Sequence, residues 1–359
     1  MTHNELVGAA EKLVPLLAAT ARESEIARRP LDHVIDAVRE SGLFALMVPK
    51  MYGDHEADID SFDDVVLTLS RADPAMGWVL GFYIEHNYWL AGTDESFLDE
   101  LFADTNYVLT PGSLNPGGGN AIRVDGGFKL DGRWKWGTGI VHADWVMLGG
   151  VLDGDDAALG PVFFVIPRDE VDTVDTWHTL GMCATGSWDI VASDVFVPEN
   201  RIVSMLGLLN ADAPGLKRHS GPMFSTPLVP ILGFAVGAPI LGAAQMALHG
   251  YQETVKAKIA QGANSVGGPA RDATKPAVAA RAALTIEAAE ALQRSVLADV
   301  MNQRNTATLE TRSAWMTRLA HSVFMCREAV QDLSSVTGAS GAFLDHPVQR
   351  ALRLSLIHI

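Results

Sequence analysis

The sequence predicts an α+β chain, mostly α, in the order helices, sheet, helices. Three observations carry this prediction. Residues 4–102 and 227–335 repeat apolar side chains at helical spacing, residues 108–198 alternate them at strand spacing, and Gly, Pro and Asp-Gly punctuation marks each change of period. With 359 residues, 48% hydrophobic and a mean hydropathy of +0.14, the chain can bury a large core and divide into two or three domains. We place them at 1–105, an N-terminal helical domain, 106–215, a central β-domain, and 223–359, a C-terminal helical bundle.

In the first segment, Glu5, Glu11 and Lys12 fall where a signal peptide needs an unbroken apolar run, so secretion is not expected. Pro30 can start a helix that stops at Gly42, Ser61 with Asp64 reads as a capping box for the next helix, and Pro74 suits the first turn of a third. Between them GLFALMVPKMYGD (42–54) reads as a helix end followed by a packed loop, because Pro49, Tyr52 and Gly53 force an irregular turn.

From Val108 the period changes to that of strands. Asp125-Gly126 and Asp131-Gly132 read as two hairpin turns flanking AIRV, FKL and WKW segments. Strands continue through DWVMLGGVL, the DGDD turn at 153–156, PVFFVIP and SWDIVASDVFVP, ending at Pro198. Within GRWKWGTG (132–139) the alternation places Trp134, Trp136 and Thr138 on one face of a strand. Two indoles and a hydroxyl offer a planar cofactor flat apolar contact and a hydrogen-bonding group, although a half-exposed aromatic strand shows the same pattern.

Segments 227–259, 276–302 and 309–335 have the Ala-, Leu-, Glu-, Gln- and Arg-rich composition of antiparallel bundle helices, with 211–222 and 261–276 as polar connections. Residues 221–248 carry no charge and are long enough to cross a bilayer. Pro227, Pro230 and Pro239, with small residues from Gly233 to Ala244, assign this run to the interior of a bundle, so no membrane partner is expected.

Forty-three acidic residues against 27 basic give a formal charge of −16, which argues against nucleic acid as a partner. Cys183 and Cys326 are two lone thiols outside any metal-ligand spacing, a usage that fits the reducing cytoplasm, and no metal is expected. The Gly-x-Gly-x-x-Gly, P-loop, His-Glu-x-x-His and Gly-x-Ser-x-Gly motifs do not occur in the sequence.

Five segments together carry a resemblance over nearly the whole chain: GLFALMVPKMYGD, AMGWVLGFYIEHN, VDGGFKLDGRWKWGTGIVHADW, GMCATGSWDIVASDVFVP and TGASGAFLDHPVQRALR. The sequence resembles the acyl-CoA dehydrogenase superfamily and, within it, the two-component flavin-dependent monooxygenases that hydroxylate phenols and steroid-derived phenols or S-oxidise dibenzothiophene. The resemblance implies an N-terminal helical domain, a central β-barrel-like domain and a C-terminal four-helix bundle. It also implies reduced flavin (FMN or FAD), a separate NAD(P)H-dependent flavin reductase, a small aromatic or polycyclic substrate, and a homotetramer with bundles packed together.

By the same resemblance Trp136, Gly137 and Thr138 contact the flavin, with the Thr138 hydroxyl near N5, where most relatives carry Ser. Trp78, Gly112, Ser113, Ala339 and Ser340 match further flavin-contacting positions. Lys256 stands where relatives place an Arg that reaches a flavin phosphate, and can serve there as a point charge. His86 and Thr138 match catalytic positions: His86-Asn87 corresponds to a His-Asn pair in the steroid-type hydroxylases, suited to deprotonating or orienting a phenol. His142 and Thr185-Gly186-Ser187 also match the hydroxylase pattern; His142 reads as a structural hydrogen bond and the triplet as a turn entering a strand.

Two other functions remain open on the sequence. An acyl-CoA dehydrogenase-like flavoprotein needs a carboxylate base, and the family's first position for it falls in STPLVPILGFAVGAP (225–239), which holds no acid. The other is a flavin-fold protein that binds without catalysis. The C-terminal LSLIHI departs from the family, which continues the helix after Arg353 and supplies a second His; His358 is not at that offset, and we expect a truncated last helix.

Overall fold

The structure, a computed structural model, describes residues 1–53, 55–152, 154–260 and 274–355. Most of the expected 261–276 connection, Asp153 of the DGDD turn and the last residues of LSLIHI, His358 among them, lie outside the described residues.

The chain opens with α1 (His3–Ala27), α2 (Asp32–Ser41), α3 (Ile59–Ala72), α4 (Pro74–Leu90) and α5 (Glu95–Leu101). Helix α2 stops at Gly42, whose φ of 76° is the left-handed conformation that only glycine adopts without strain. Helix α4 carries Pro74 in its first turn, and the Asp73 side chain accepts from the Ala75 N–H at 3.0 Å. Helix α3 corrects the expected cap. It begins at Ile59 with Asp58 as its cap, so Ser61 and Asp64 lie inside the helix. Ile59 and Phe62 are both fully buried, and Arg304 grips Asp58 at 2.6 Å; tertiary packing therefore draws the start ahead of the local signal. Leu43 to Val48 are buried between short 3₁₀ turns at Leu43–Ala45 and Lys50–Tyr52, the packed loop that the sequence suggests.

Eight strands follow: β1 (Gly112–Ser113), β2 (Gly119–Val124), β3 (Gly127–Gly137), β4 (Trp145–Val151), β5 (Pro161–Pro167), β6 (Asp172–Val174), β7 (Trp188–Pro198) and β8 (Ile202–Ser204). They form two four-stranded sheets, ordered β1-β4-β5-β8 and β2-β3-β7-β6, around a core that includes Phe128, Leu130, Trp134, Phe164 and Ile190. Asp125-Gly126 is the expected hairpin turn, with Val124 opposite Gly127 and φ of 75° at Gly126. Asp131-Gly132 is not a turn. It sits within β3 at a register shift against β7, where the Asp131 side chain accepts from the Asp194 N–H at 2.8 Å. A Cβ on Gly132 would strike the Gly119 backbone, so the glycine serves close strand approach in a bulge instead of chain reversal.

The last part comprises α6 (Met205–Leu209), α7 (Leu228–Ala260), α8 (Thr274–Gln303), α9 (Leu309–Thr337) and α10 (Pro347–Ser355). Helix α7 is long and apolar enough to cross a membrane, yet 78% of its most apolar window is buried within the protein. Its glycines allow that burial: at Gly242 a Cβ would stand 2.5 Å from Ser70 Cβ on α3. One apolar core runs through α1 to α4 and on into α7 to α10, whereas the sheets have a second core of their own.

Candidate active site

The end of β3 departs from the alternation of its sequence. Trp134 is fully buried in the sheet core and donates Nε1–H to the Gly149 carbonyl at 2.8 Å. A second register shift falls between Trp134 and Gly137, and within it Trp136 adopts φ of 70° and is 66% exposed. The bulge therefore separates the two indoles, correcting the expectation of one shared face, and turns Trp136 out of the core toward the side occupied by Thr138. The following turn is held from two sides. Tyr83 of α4 donates its hydroxyl to the Gly139 carbonyl, and the Gly139 N–H bonds the Thr185 carbonyl at 2.9 Å.

Two cavities meet at this bulge. The larger, about 520 Å³, has Trp78, Trp136 and Trp177 among its walls, with Leu180 and Met182 and the hydroxyls of Thr138, Thr185 and Ser187. The smaller, about 270 Å³, is enclosed by Phe82, His86, Trp89, Gly112 and Ser113, with Lys135 at its side. Trp78, Trp136 and Thr138 line both, so the bulge of β3 is the partition between them. Among the described residues no carboxylate lines either cavity.

His86 is 3% exposed, with its ring between those of Phe82 and Trp89. Its Nδ1 lies 2.5 Å from the Thr110 carbonyl, which can only accept, so Nδ1 carries the proton and Nε2 is left as a bare acceptor. Burial pushes the imidazolium down to about 4, against a weaker pull upward from that carbonyl, and the ring is neutral at physiological pH. Gly112 keeps the space beside it open, since a Cβ there would lie 3.2 Å from Nε2. Asn87 has a different task. Its amide bridges Tyr83 O at 2.8 Å and Val108 O at 3.2 Å while its Oδ1 accepts from Val108 N at 3.0 Å, tying α4 to the chain that leads into β1. Neighbouring Glu85 is fully buried and raised to about 8 by desolvation; it accepts from Trp89 Nε1–H at 3.1 Å, and its second oxygen has no partner among the described residues.

The larger cavity suits a flavin ring on the donor set it presents: three indoles, two aliphatic side chains and a cluster of hydroxyls, without a buried charge to desolvate. Of the residues singled out from the sequence, His86, Trp78, Gly112, Ser113, Trp136 and Thr138 line the two cavities, and Gly137 closes β3 between Trp136 and Thr138. Lys256, Ala339 and Ser340 lie on the bundle and are not part of either lining in the single chain. Lys256 is exposed and pairs with Glu253 at 2.7 Å, while Lys135 is the one cation lining either cavity among the described residues. His142 bonds Asp32 on α2 through Nε2 at 2.9 Å, a link between helices and sheets away from the cavities.

Trp177, Leu180, Met182, Thr185 and Ser187 were not among the site residues read from the sequence. They belong to the irregular segment between β6 and β7, where no period marks a face. The signal available was the Thr-Gly-Ser triplet, whose Gly186 has φ of 55° and turns both flanking hydroxyls to the cavity side.

Known proteins resemble the chain over its whole length. Residues 234–354 match the family model described as acyl-CoA dehydrogenase, C-terminal domain. A pigment production hydroxylase of Rhodococcus sp. (strain ATCC 21145) is 33% identical over 366 residues, spanning 100% of this chain and 92% of that protein. The oxygenase component of an FADH(2)-dependent resorcinol hydroxylase of Rhizobium sp. is 30% identical, spanning 98% of this chain and 88% of that protein. The crystal structure of 3-HSA hydroxylase from Rhodococcus sp. RHA1 superposes with a TM-score of 0.91 at 28% identity, covering 99% of this chain and 92% of that one. Matched from end to end by hydroxylases of this kind, the chain belongs to the flavin-dependent monooxygenases, as an oxygenase component built on the acyl-CoA dehydrogenase fold.

Proposed function

We propose that the chain hydroxylates an aromatic or polycyclic phenol, with reduced flavin seated in the larger cavity and the phenol in the smaller. The observation that carries this reading is the pair of cavities meeting at Trp136 and Thr138, with a buried neutral His86 on the smaller one. Bound there, reduced flavin, FMN or FAD, would supply the two electrons with which one atom of O2 enters the substrate and the other leaves as water. Trp78, Trp136 and Trp177 would hold the ring by flat contact, and Thr138 would meet its edge through a hydrogen bond.

His86 acts as an orienting acceptor. A base whose conjugate acid titrates near 4 does not remove the proton of a resting phenol, but its Nε2 accepts the phenol O–H and aims the ring toward the partition. Phe82 and Trp89 supply the apolar walls that keep water from that oxygen. Dehydrogenation of an acyl thioester is disfavoured because it needs a carboxylate at the reacting carbon, and the buried Glu85 is turned to Trp89.

The wider setting belongs to the same proposal. Reduced flavin would come from a separate NAD(P)H-dependent flavin reductase in the cytoplasm, a setting consistent with the two free thiols. A homotetramer is supported by apolar side chains that point outward on the bundle, Leu284 at 66% and Phe324 at 53% exposure. Assembly would also give Lys256, Ala339 and Ser340 a neighbouring chain's flavin to contact. We assign the helices of 1–105 and 223–359 to the frame, with Trp78 of α4 reaching the flavin, and residues 106–215 to the rest of the flavin's contacts.

The test supplies purified protein with chemically reduced FMN or FAD, ¹⁸O₂ and a panel of mono- and polycyclic phenols. The expected product gains one ¹⁸O atom. Flavin-bound protein that oxidises acyl-CoA without oxygen, and labels no phenol, would show the dehydrogenase reading instead.

A further inference from the structure

The larger cavity contains a chain of hydroxyls whose proton directions follow from the carbonyl acceptor at its end. The Met182 carbonyl can only accept, and Thr185 Oγ1 lies 3.0 Å from it, so the single hydroxyl proton of Thr185 points there. Ser187 Oγ is 2.7 Å from Thr185 Oγ1 and must donate to it. Thr138 Oγ1 is 3.0 Å from Ser187 Oγ, whose proton is already used, so Thr138 must donate to Ser187. The consequence is that Thr138 turns only lone pairs to the cavity.

The terminus of this relay is held firmly. Met182 has φ of 56°, a conformation unusual for a residue with a side chain, and its carbonyl also receives the Thr185 N–H at 3.1 Å and Trp177 Nε1–H at 2.9 Å. Thr185 and Ser187 are 1% and 2% exposed, so water does not compete for their protons.

The two oxidation states of a flavin differ at N5: oxidised N5 is a bare acceptor, and reduced N5 bears a hydrogen and donates. We propose that Thr185 and Ser187 are positioning residues that lock Thr138 as a hydrogen-bond acceptor, so that the cavity selects reduced over oxidised flavin. The proposal rests on the reading that the flavin's N5 edge meets Thr138. It gives a protein that takes its flavin from another enzyme a reason to capture the reduced form and release the spent one.

The test is the ratio of dissociation constants for oxidised and anaerobically reduced FMN, measured by titration of the full chain. The expected ratio is at least tenfold in favour of reduced FMN, equivalent to a midpoint potential about 30 mV above that of free flavin for a two-electron couple. Thr185→Val leaves Ser187 free to turn its proton to Thr138, which can then donate to the cavity, and the ratio falls toward one. Ser187→Ala does the same, whereas Thr185→Ser retains the relay and the ratio. A folding defect lowers both affinities in step and cancels in the ratio. A wild-type ratio near one, or a ratio unmoved by Thr185→Val and Ser187→Ala but moved by Thr138→Val, overturns the relay. If Thr138→Val leaves both affinities unchanged, the placement of flavin against Thr138 fails as well.

Discussion

His86 and Glu85 are adjacent in sequence and both buried, yet desolvation moves them in opposite directions because it disfavours charge in each. Burial penalises the charged imidazolium, so His86 gives up its proton near 4, well below the working range. We therefore expect no inflection from His86 in the hydroxylation rate between pH 6 and 8. His86→Ala should lower product formed per reduced flavin consumed by about a hundredfold. Reduced flavin affinity should change less than threefold, because His86 lines only the smaller cavity; stopped-flow and product analysis read both quantities.

Glu85 carries a stability prediction. Its folded value is raised to about 8 from 4.5, so its contribution is fully present below pH 4.5 and is lost as pH rises toward 8. Glu85→Gln cannot ionise, and should gain on the order of 3 kcal/mol relative to wild type between pH 5 and pH 7. Denaturant midpoints across that range measure it, and parallel curves for the two proteins would refute the buried neutral carboxyl. At this scale the sequence names polar residues and leaves their roles open. His86 and Asn87 read as a pair, but only the structure separates an imidazole on a cavity from an amide that ties α4 to Val108.

Among the elements, strand β3 and the turn after it set the site. Its bulge at Trp136 and the left-handed Gly139 are both irregularities, and a period-two reading of WKWGT passes over them. The same blindness turned Asp131-Gly132 into an expected hairpin: Asp-Gly marks a left-handed or crowded backbone, and whether it reverses the chain depends on the partner strand. Long elements were legible because their signals are redundant. Helix α9 lies within two residues of its expected limits, as do the start of α7 and the end of α8, because many apolar positions vote together. The segment between β6 and β7 was not, since each of its cavity residues is placed by one turn. Gly139→Ala tests the turn's importance. A methyl at φ of 77° would strike the Tyr83 hydroxyl, and we expect a loss of about 3 kcal/mol in stability by denaturant titration, with weakened flavin binding in the protein that remains folded.

Across the whole molecule, the helices before and after the sheets share one apolar core, so a frame made from both ends of the chain holds α4 against the end of β3. That frame explains how a site divided between a helix and a strand bulge keeps its shape: Tyr83 and Asn87 of α4 fix the backbone on either side of the smaller cavity. It also accounts for what was legible at this scale. The order helices, sheet, helices follows from period alone, but the union of the helical segments into one core is a matter of contacts between residues far apart in sequence. The central claim is the division of labour between the two cavities. A crystal structure of the protein with FMN and a phenol examines it directly: we predict ring density among Trp78, Trp136 and Trp177 and the phenol oxygen within hydrogen-bonding reach of His86 Nε2. Flavin bound outside the larger cavity, or a phenol bound away from His86, would contradict the account.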